Sequence, residues 1–268
     1  MTVTITKNLP YNEYEKLPGL RASDMKTLLK SPRAYYNAKH LGIKKDASKS
    51  MQLGTAAHLA ILEQEKFADE VVVFDGATRR GKEWDKFKAE HEGKLIPNDN
   101  EFDSVTEMAK AVNRNVDAVN LLREGDAEVT LEFEFMGRKF KSRLDWLDGD
   151  IIVDLKTTRN IGAYDFKRDM FNLGYHIQFA IYHHAIKEHT GKDPKFFVIA
   201  VDNSGEEMSE ASVFRIGTDV IDKGYADLRQ ALRVLEECEK NDYWPSPNEG
   251  IHDLTLAETK DWLGNRLV

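Results

Sequence analysis

The stretch from Glu128 to Thr158 constrains the fold more than any other part of this 268-residue chain. Glu128 to Phe135 alternates strictly between polar and apolar residues, the two-residue period of a strand with one buried face. Met136-Gly137-Arg138 then supplies turn chemistry, Phe140 to Leu147 makes a second strand pattern, and Asp148-Gly149-Asp150 turns into the run IIVDLKTT. Three consecutive antiparallel strands satisfy this pattern. A helical pattern over roughly 163–190 follows, and then the apolar strand KFFVIAVD at 195–202. A strand, a helix and a strand in succession ordinarily form a parallel crossover within one sheet. The expected fold is α/β, a mixed sheet flanked by helices, with the chemistry on the meander.

The flanking segments read as helices. Ser23-Asp24 offers a cap to a helix carrying Met25, Leu28 and Leu29, and Ser31-Pro32 stops it and opens the next, through Tyr35 and Tyr36. Residues 50–66 place Leu53, Ala57, Ala60 and Ile61 at helical spacing, with His58 beside that face. VVVF at 71–74 reads as a strand, TRRGKEWDKFK at 78–88 as a basic stretch, and 101–122 as a helix. An amphipathic helix over about 219–240 leads to YWPSP and a short C-terminal helix. One domain is expected, with an N-terminal helical segment at 1–50, a core at 51–240 and a tail at 241–268. Trp244 and Trp262 in that tail are candidate anchors for a subunit interface.

Composition removes several function classes. Lys and Arg number 38 against 46 Asp and Glu, a net charge of −8, which argues against a protein that coats DNA but is compatible with a local basic channel. The longest apolar run, Phe196 to Val201, falls far short of the roughly 20 residues of a membrane helix. The N-terminus has no basic stretch leading into an apolar one, so the expected location is the cytoplasm. A single cysteine, Cys238, allows no internal disulfide, no Cys-rich zinc site and no four-cysteine iron–sulfur cluster. No P-loop motif occurs, so ATP hydrolysis is not expected.

Asp145 in SRLDWL and Asp154 in IIVDLKTT lie across the second turn from each other, and Asp154 and Lys156 share one face of their strand. Two convergent carboxylates repel unless a cation lies between them, and oxygen ligands favour Mg²⁺ or Mn²⁺. Such a site polarises a phosphoryl oxygen and activates water. Lys156 would hold or help deprotonate that water and stabilise charge on the phosphate. The same spacing also fits a solvated hairpin with a surface Asp154–Lys156 ion pair. His58 fits a packed core residue as well as a ligand. Gln178 and Tyr182, four apart on one helical face, fit a half-buried edge as well as polar contacts to DNA.

Taken in order, Gly54 and His58, Asp145, Asp154 and Lys156, and Gln178 and Tyr182 resemble the motif set of the RecB-like branch of the PD-(D/E)xK nucleases. LRASDMKTLLKSP (20–32), RRGKEWDKF (79–87) and KSRLDWL (141–147) narrow the resemblance to the nuclease domain of the RecE, or exodeoxyribonuclease VIII, family of phages and prophages, over about residues 5 to 245. The proline that names the superfamily is absent before Asp145. The resemblance implies a restriction-endonuclease-like core and a Mg²⁺-dependent, ATP-independent exonuclease, with Mn²⁺ able to substitute. Such an enzyme binds an end of double-stranded DNA and degrades one strand 5′ to 3′. The 3′ single-stranded tail then passes to a RecT-type annealing protein in recombination.

By the same resemblance, His58, Asp145 and Asp154, with the backbone carbonyl of Leu155, match metal ligands, and Lys156 matches the catalytic lysine. Gln178 and Tyr182 match the motif after the active-site strand, and Glu128 an accessory acidic position. The family's ring-shaped homotetramer encloses duplex DNA in a central channel. Arg79, Arg80 and Lys82, with Trp84 interleaved, are candidates to track phosphates there. Lys139, Lys141 and Arg143 share strand parity with Asp145 and are candidates to steer the scissile phosphate. Two other readings stay open: a structure-specific or single-strand nuclease of the same fold, and a non-cleaving DNA-end-binding recombination adaptor, which has no need of Lys156.

Overall fold

The computed structural model describes residues 3–43, 48–76, 78–205 and 208–251. The chain opens with a short strand, β1 (Thr4–Thr6), and the helices α1 (Tyr11–Lys16), α2 (Ala22–Lys30) and α3 (Pro32–Lys39). Asp24 caps α2 from inside its first turn, its carboxylate accepting from the Arg21 backbone N–H at 2.9 Å. Ser31 both ends α2 and caps α3, accepting from the Ala34 N–H at 3.1 Å with Pro32 in the first helical position. Three helices follow: α4 (Lys49–Leu62), α5 (Gln64–Glu70) and α6 (Lys82–Glu90). The VVVF segment between the last two is not a strand; it makes an isolated parallel bridge from Val71 to Leu95. The helix expected over 101–122 is two, α7 (Asp99–Arg114) and α8 (Val116–Leu121). Asn115 breaks it, leaving the helical conformation and capping α8 by accepting from the Ala118 N–H at 3.0 Å.

The meander forms as its turns dictate. β2 (Asp126–Phe135), β3 (Arg138–Asp148) and β4 (Ile151–Thr158) are successive antiparallel neighbours. At the first turn Met136 and Gly137 both have positive φ, 50° and 71°, the backbone twist that suits a two-residue hairpin. The helix expected over 163–190 breaks at Leu173-Gly174 into α9 (Ala163–Asn172) and α10 (Tyr175–Thr190). These lead to β5 (Lys195–Asp202), which pairs parallel with β4, and the chain continues through β6 (Ala211–Arg215) and α11 (Thr218–Asn241). β1 and β6, unmarked by strong alternation, close the sheet in the order β1-β2-β3-β4-β5-β6. No helix among the described residues is long and apolar enough to cross a membrane.

Two cores lie on the two faces of the sheet. The first joins Phe140, Leu131 and Phe196 to Phe179 and Ile186 of α10 and Leu228 of α11; the second joins Val153, Leu155 and Ile199 to Ala57 of α4 and Met108 of α7. α10 is apolar on most sides because it lies between the sheet and α11. Gly224 permits that closeness: a Cβ there would sit 2.0 Å from the His176 carbonyl oxygen. Trp244 is not a free anchor for another subunit, because its ring is buried and stacks on Tyr35 at 5.7 Å, completing its own chain's first core. Trp262 and the expected C-terminal helix lie outside the described residues.

The period of two fails at one place. Val129 and Leu144 pack in the first core, whereas Ala127 and Trp146, each two residues away, pack against the second. Residues two apart on a regular strand share a face, so both strands turn over between these pairs, at Glu128 and Asp145. Glu128 there has φ +53°, a left-handed conformation that few glutamates adopt. Beyond Trp146 paired with Val153, β3 and β4 also part company.

Candidate active site

The turn-over and the parting of the strands create the site. The hairpin register of β2 and β3 sets Glu128 opposite Asp145, and α4 lays His58 over them. His58 Nδ1 lies 3.8 Å from Asp145 Oδ1 and 3.9 Å from Glu128 Oε1. One ligand atom from each of these three side chains falls within 4.8 Å of the other two, a grouping able to hold a metal ion. The small residues Ala56, Ala57 and Ala60 of α4 are buried in the second core, and Gly54, one turn before His58, faces Thr157 of β4. The lone histidine is therefore grouped with Glu128 and Asp145 and is not among the residues packed in the second core.

Where β3 and β4 separate, the Leu155 N–H donates to Asp145 Oδ2 at 2.8 Å in place of a β3 carbonyl. Asp154 is fully buried one residue earlier. Its Oδ1 accepts from Gln178 Nε2 at 3.1 Å, and its Oδ2 lies 2.5 Å from Lys156 Nζ while accepting no well-aligned hydrogen bond. The Asp154–Lys156 pair is thus an interior pair, not a surface ion contact. Gln178 Nε2 also donates to the Tyr182 hydroxyl at 2.8 Å, and that hydroxyl donates to the Arg143 carbonyl at 2.8 Å. The Gln-x-x-x-Tyr face of α10 is spent on holding Asp154 and β3 in place rather than turned towards DNA.

The electrostatics are those of carboxylates and cations crowded together away from water. Burial pushes Asp145 up to about 7, with Asp154 adding to the rise and His58 opposing it. Burial would press His58 down, but Asp145 and Glu128 outweigh it and hold the imidazole above its ordinary value. Glu128 feels burial in the opposite sense, yet His58 and Arg143 hold it below the usual carboxylate range. Burial would lower Lys156 as well; Asp154 and Asp145 raise it on balance, so Lys156 is a firm ammonium. Oxygen and imidazole donors converging around Asp145, whose carboxylate receives one backbone N–H, fit a divalent cation of the Mg²⁺ or Mn²⁺ type.

Several basic candidates are engaged elsewhere. Lys141 is 2% exposed, and its ammonium donates to the carbonyls of Tyr14, Glu15 and Leu17 at 2.8, 2.9 and 2.6 Å. It closes the end of α1 and is not available to phosphate. Arg143 is ion-paired with Glu128 and donates to the Leu9 carbonyl at 3.1 Å, so it supports the acidic cluster from the side. Parity brings Arg143 beside the Glu128–Asp145 cluster, but both side chains are taken up by partners within the protein, which strand parity does not reveal. Arg79 donates to the Ile96 carbonyl at 2.7 Å and lies over the Trp84 ring at 5.1 Å, while Trp84 packs on Phe74. Arg80 and Lys82 remain exposed.

Two residues near the site escaped notice in the sequence. Tyr175, at the start of α10, sets its ring 4.8 Å from Lys156 Nζ, and Lys26 of α2 brings its own Nζ to 5.4 Å from the same ring. Glu128 was only an accessory position in the sequence, yet it is a full member of the acidic cluster; the two-residue turn at Met136-Gly137, which fixes its register against Asp145, is the signal that marks it.

The comparisons agree with this architecture. A search of curated proteins returned no match. The fold is shared with a candidate exonuclease from Eubacterium rectale, at a TM-score of 0.67 and 16% identity over 93% of this chain and 97% of that one. A phage-related exonuclease from Haemophilus somnus 129PT aligns more loosely, with a TM-score of 0.38 and 12% identity over 86% of this chain and all of its own. Residues 22–255 match the model of a PDDEXK-like domain of unknown function, DUF3799, and the chain belongs to that family.

Proposed function

We propose that the protein is a Mg²⁺-dependent, ATP-independent exonuclease that degrades one strand of linear double-stranded DNA 5′ to 3′. The observation that carries this reading is the convergence of His58, Glu128 and Asp145 beside the buried Asp154–Lys156 pair, where β3 and β4 part. His58, Glu128, Asp145, Asp154 and the Leu155 carbonyl are the groups that would hold the cation. When bound, it supplies Lewis-acid polarisation of a phosphoryl oxygen and a water of lowered pKa.

The chain's own residues divide the remaining work. Lys156, an ammonium paired with Asp154, stabilises negative charge growing on the phosphoryl oxygens. Gln178 fixes the Asp154 carboxylate, and Tyr182 ties Gln178 to β3. Strand polarity, the 3′ single-stranded product, hand-over to a RecT-type annealing protein and a ring-shaped homotetramer are supported by the RecE-like segments at 20–32, 79–87 and 141–147.

The test is digestion of a linear duplex labelled at the 5′ or the 3′ end, with Mg²⁺ and without ATP, beside a covalently closed circle. Early loss of the 5′ label, late survival of the 3′ label and an intact circle are expected, and Asp154→Asn abolishes the digestion. Cutting of the circle would mean an endonuclease on this fold. Preference for flaps or single strands would mean a repair-type nuclease, and binding without cutting a recombination adaptor.

A further inference from the structure

Lys26 lies in α2, within the 20–32 segment but assigned no role above, and its ammonium reaches the Tyr175 ring beside Lys156. Gly174, at φ +68°, leaves the space its stem fills: a Cβ there would lie 2.9 Å from both Cγ and Cδ of Lys26. The ammonium ends 5.4 Å from the centre of the Tyr175 ring, which Lys156 Nζ also approaches, at 4.8 Å. Among the described residues Lys26 has no carboxylate within 4.0 Å and makes no hydrogen bond. Lys141, by contrast, buries its charge against three carbonyls, and Lys156 against Asp154. Burial, helped by Lys156 and opposed by Asp154, lowers Lys26 to about 8, so it remains mostly charged at neutral pH. Two ammonium groups beside one aromatic ring repel each other, and a ring face is a weak counter-charge for a desolvated cation. Asp154 already serves Lys156 as counter-charge, and Lys26 is the one of the two left without an anion of its own.

We propose that Lys26 is a second phosphate-binding residue of the site, contacting a backbone phosphate beside the one that Lys156 contacts and positioning the strand for cleavage. The inference rests on the nuclease reading above. It gives α2 a part in substrate binding and makes Tyr175 the spacer that holds the two lysines at adjoining phosphates.

The experiment compares wild type, Lys26→Met and Lys26→Arg on a linear duplex with Mg²⁺, measuring kcat and KM across a salt series and the thermal midpoint of each variant. Met keeps the stem that packs on Gly174 and removes only the charge. K26M should raise KM about tenfold with a smaller change in kcat, and the slope of log kcat/KM on log salt should become shallower by about 0.9, the share of one phosphate contact. K26R should stay within about threefold of wild type. The midpoint of K26M should not fall, because the lost charge has no partner in the free protein. An unchanged KM and salt slope would overturn the inference, as would K26R impaired as severely as K26M. Should K26M fold poorly, K26Q is judged by the same KM and slope. A wild type that cuts no duplex counts against the nuclease reading itself; a wild type that cuts, with K26M indistinguishable from it, counts against Lys26 alone.

Discussion

β3 carries two buried charges four residues apart, and the protein treats them in opposite ways. At Lys141 the ammonium meets three carbonyls of α1 and its following turn, at 2.6–2.9 Å, and nothing is left over. At Asp145 the carboxylate receives one backbone N–H, at 2.8 Å, while Glu128 and Asp154 crowd it with like charge. One end of the strand is closed, and the other leaves its carboxylate with a single donor among like charges. Natural folds satisfy nearly all buried polar groups, so the place where satisfaction fails marks the place where function is expected.

Charge-removing substitutions at the two ends should separate function from stability. Lys156→Gln should lower single-turnover cleavage of a linear duplex on the order of a thousandfold, the scale of losing a donor aimed at developing charge. A retained rate would remove Lys156 from the chemistry. Lys141→Met should leave three carbonyls without their donor and cost about 2–4 kcal/mol of unfolding free energy in denaturant, with cleavage per folded molecule unchanged. If K141M is as stable as wild type but fails to cut, the closed end is not merely structural and the contrast collapses.

The pH dependence of the metal-free chain sharpens the same contrast. Asp145 is pushed up to about 7 in the folded state, above its unfolded value of roughly 4, so the folded chain keeps a proton that the unfolded chain has released. The stability this group lends is fully present below about pH 4 and is lost as pH rises through about 7. His58, also raised, acts in the same direction; Glu128, held low, acts in the opposite sense only as pH falls below the carboxylate range. With EDTA, the thermal midpoint at pH 8 should lie several degrees below that at pH 6. Mg²⁺ should restore the pH 8 value, and Asp145→Asn should flatten the slope. A slope unchanged in D145N would place its origin elsewhere.

Legibility followed the same division. The meander, its two turns and the parallel return to β5 were readable because a period of two and turn residues are local signals. The turn register even encodes which residues face one another: Met136-Gly137 implies Glu128 opposite Asp145, and Gly149-Asp150 implies Asp145 opposite Asp154. The left-handed backbone at Glu128 was not readable. Nor were the partners that occupy Lys141 and Arg143, the carbonyls at the end of α1 and the Glu128 carboxylate, because both come from distant parts of the chain. Breaks at Asn115 and Gly174 were missed where a helical pattern resumes at once on the far side. Lys26 and Tyr175 were out of reach because they belong to different helices, α2 and α10, that meet only in three dimensions.

Tyr182 gives the smallest expected effect and tests whether positioning and chemistry are separable within the open end itself. Its hydroxyl accepts from Gln178 and donates to the Arg143 carbonyl, both at 2.8 Å, and burial with the nearby Asp145 raises its pKa well above that of a free tyrosine. Such a hydroxyl is a poor proton donor at neutral pH but a stable link. Tyr182→Phe removes one donor and one acceptor from a buried chain of three hydrogen bonds, at a cost of about 1–2 kcal/mol in denaturant. Gln178 keeps its bond to Asp154, so cleavage should fall less than tenfold, with its pH profile unmoved. A loss beyond a hundredfold, or a profile shifted in pH, would make Tyr182 a participant in proton transfer. The open end would then extend one side chain deeper into α10 than its hydrogen bonds suggest.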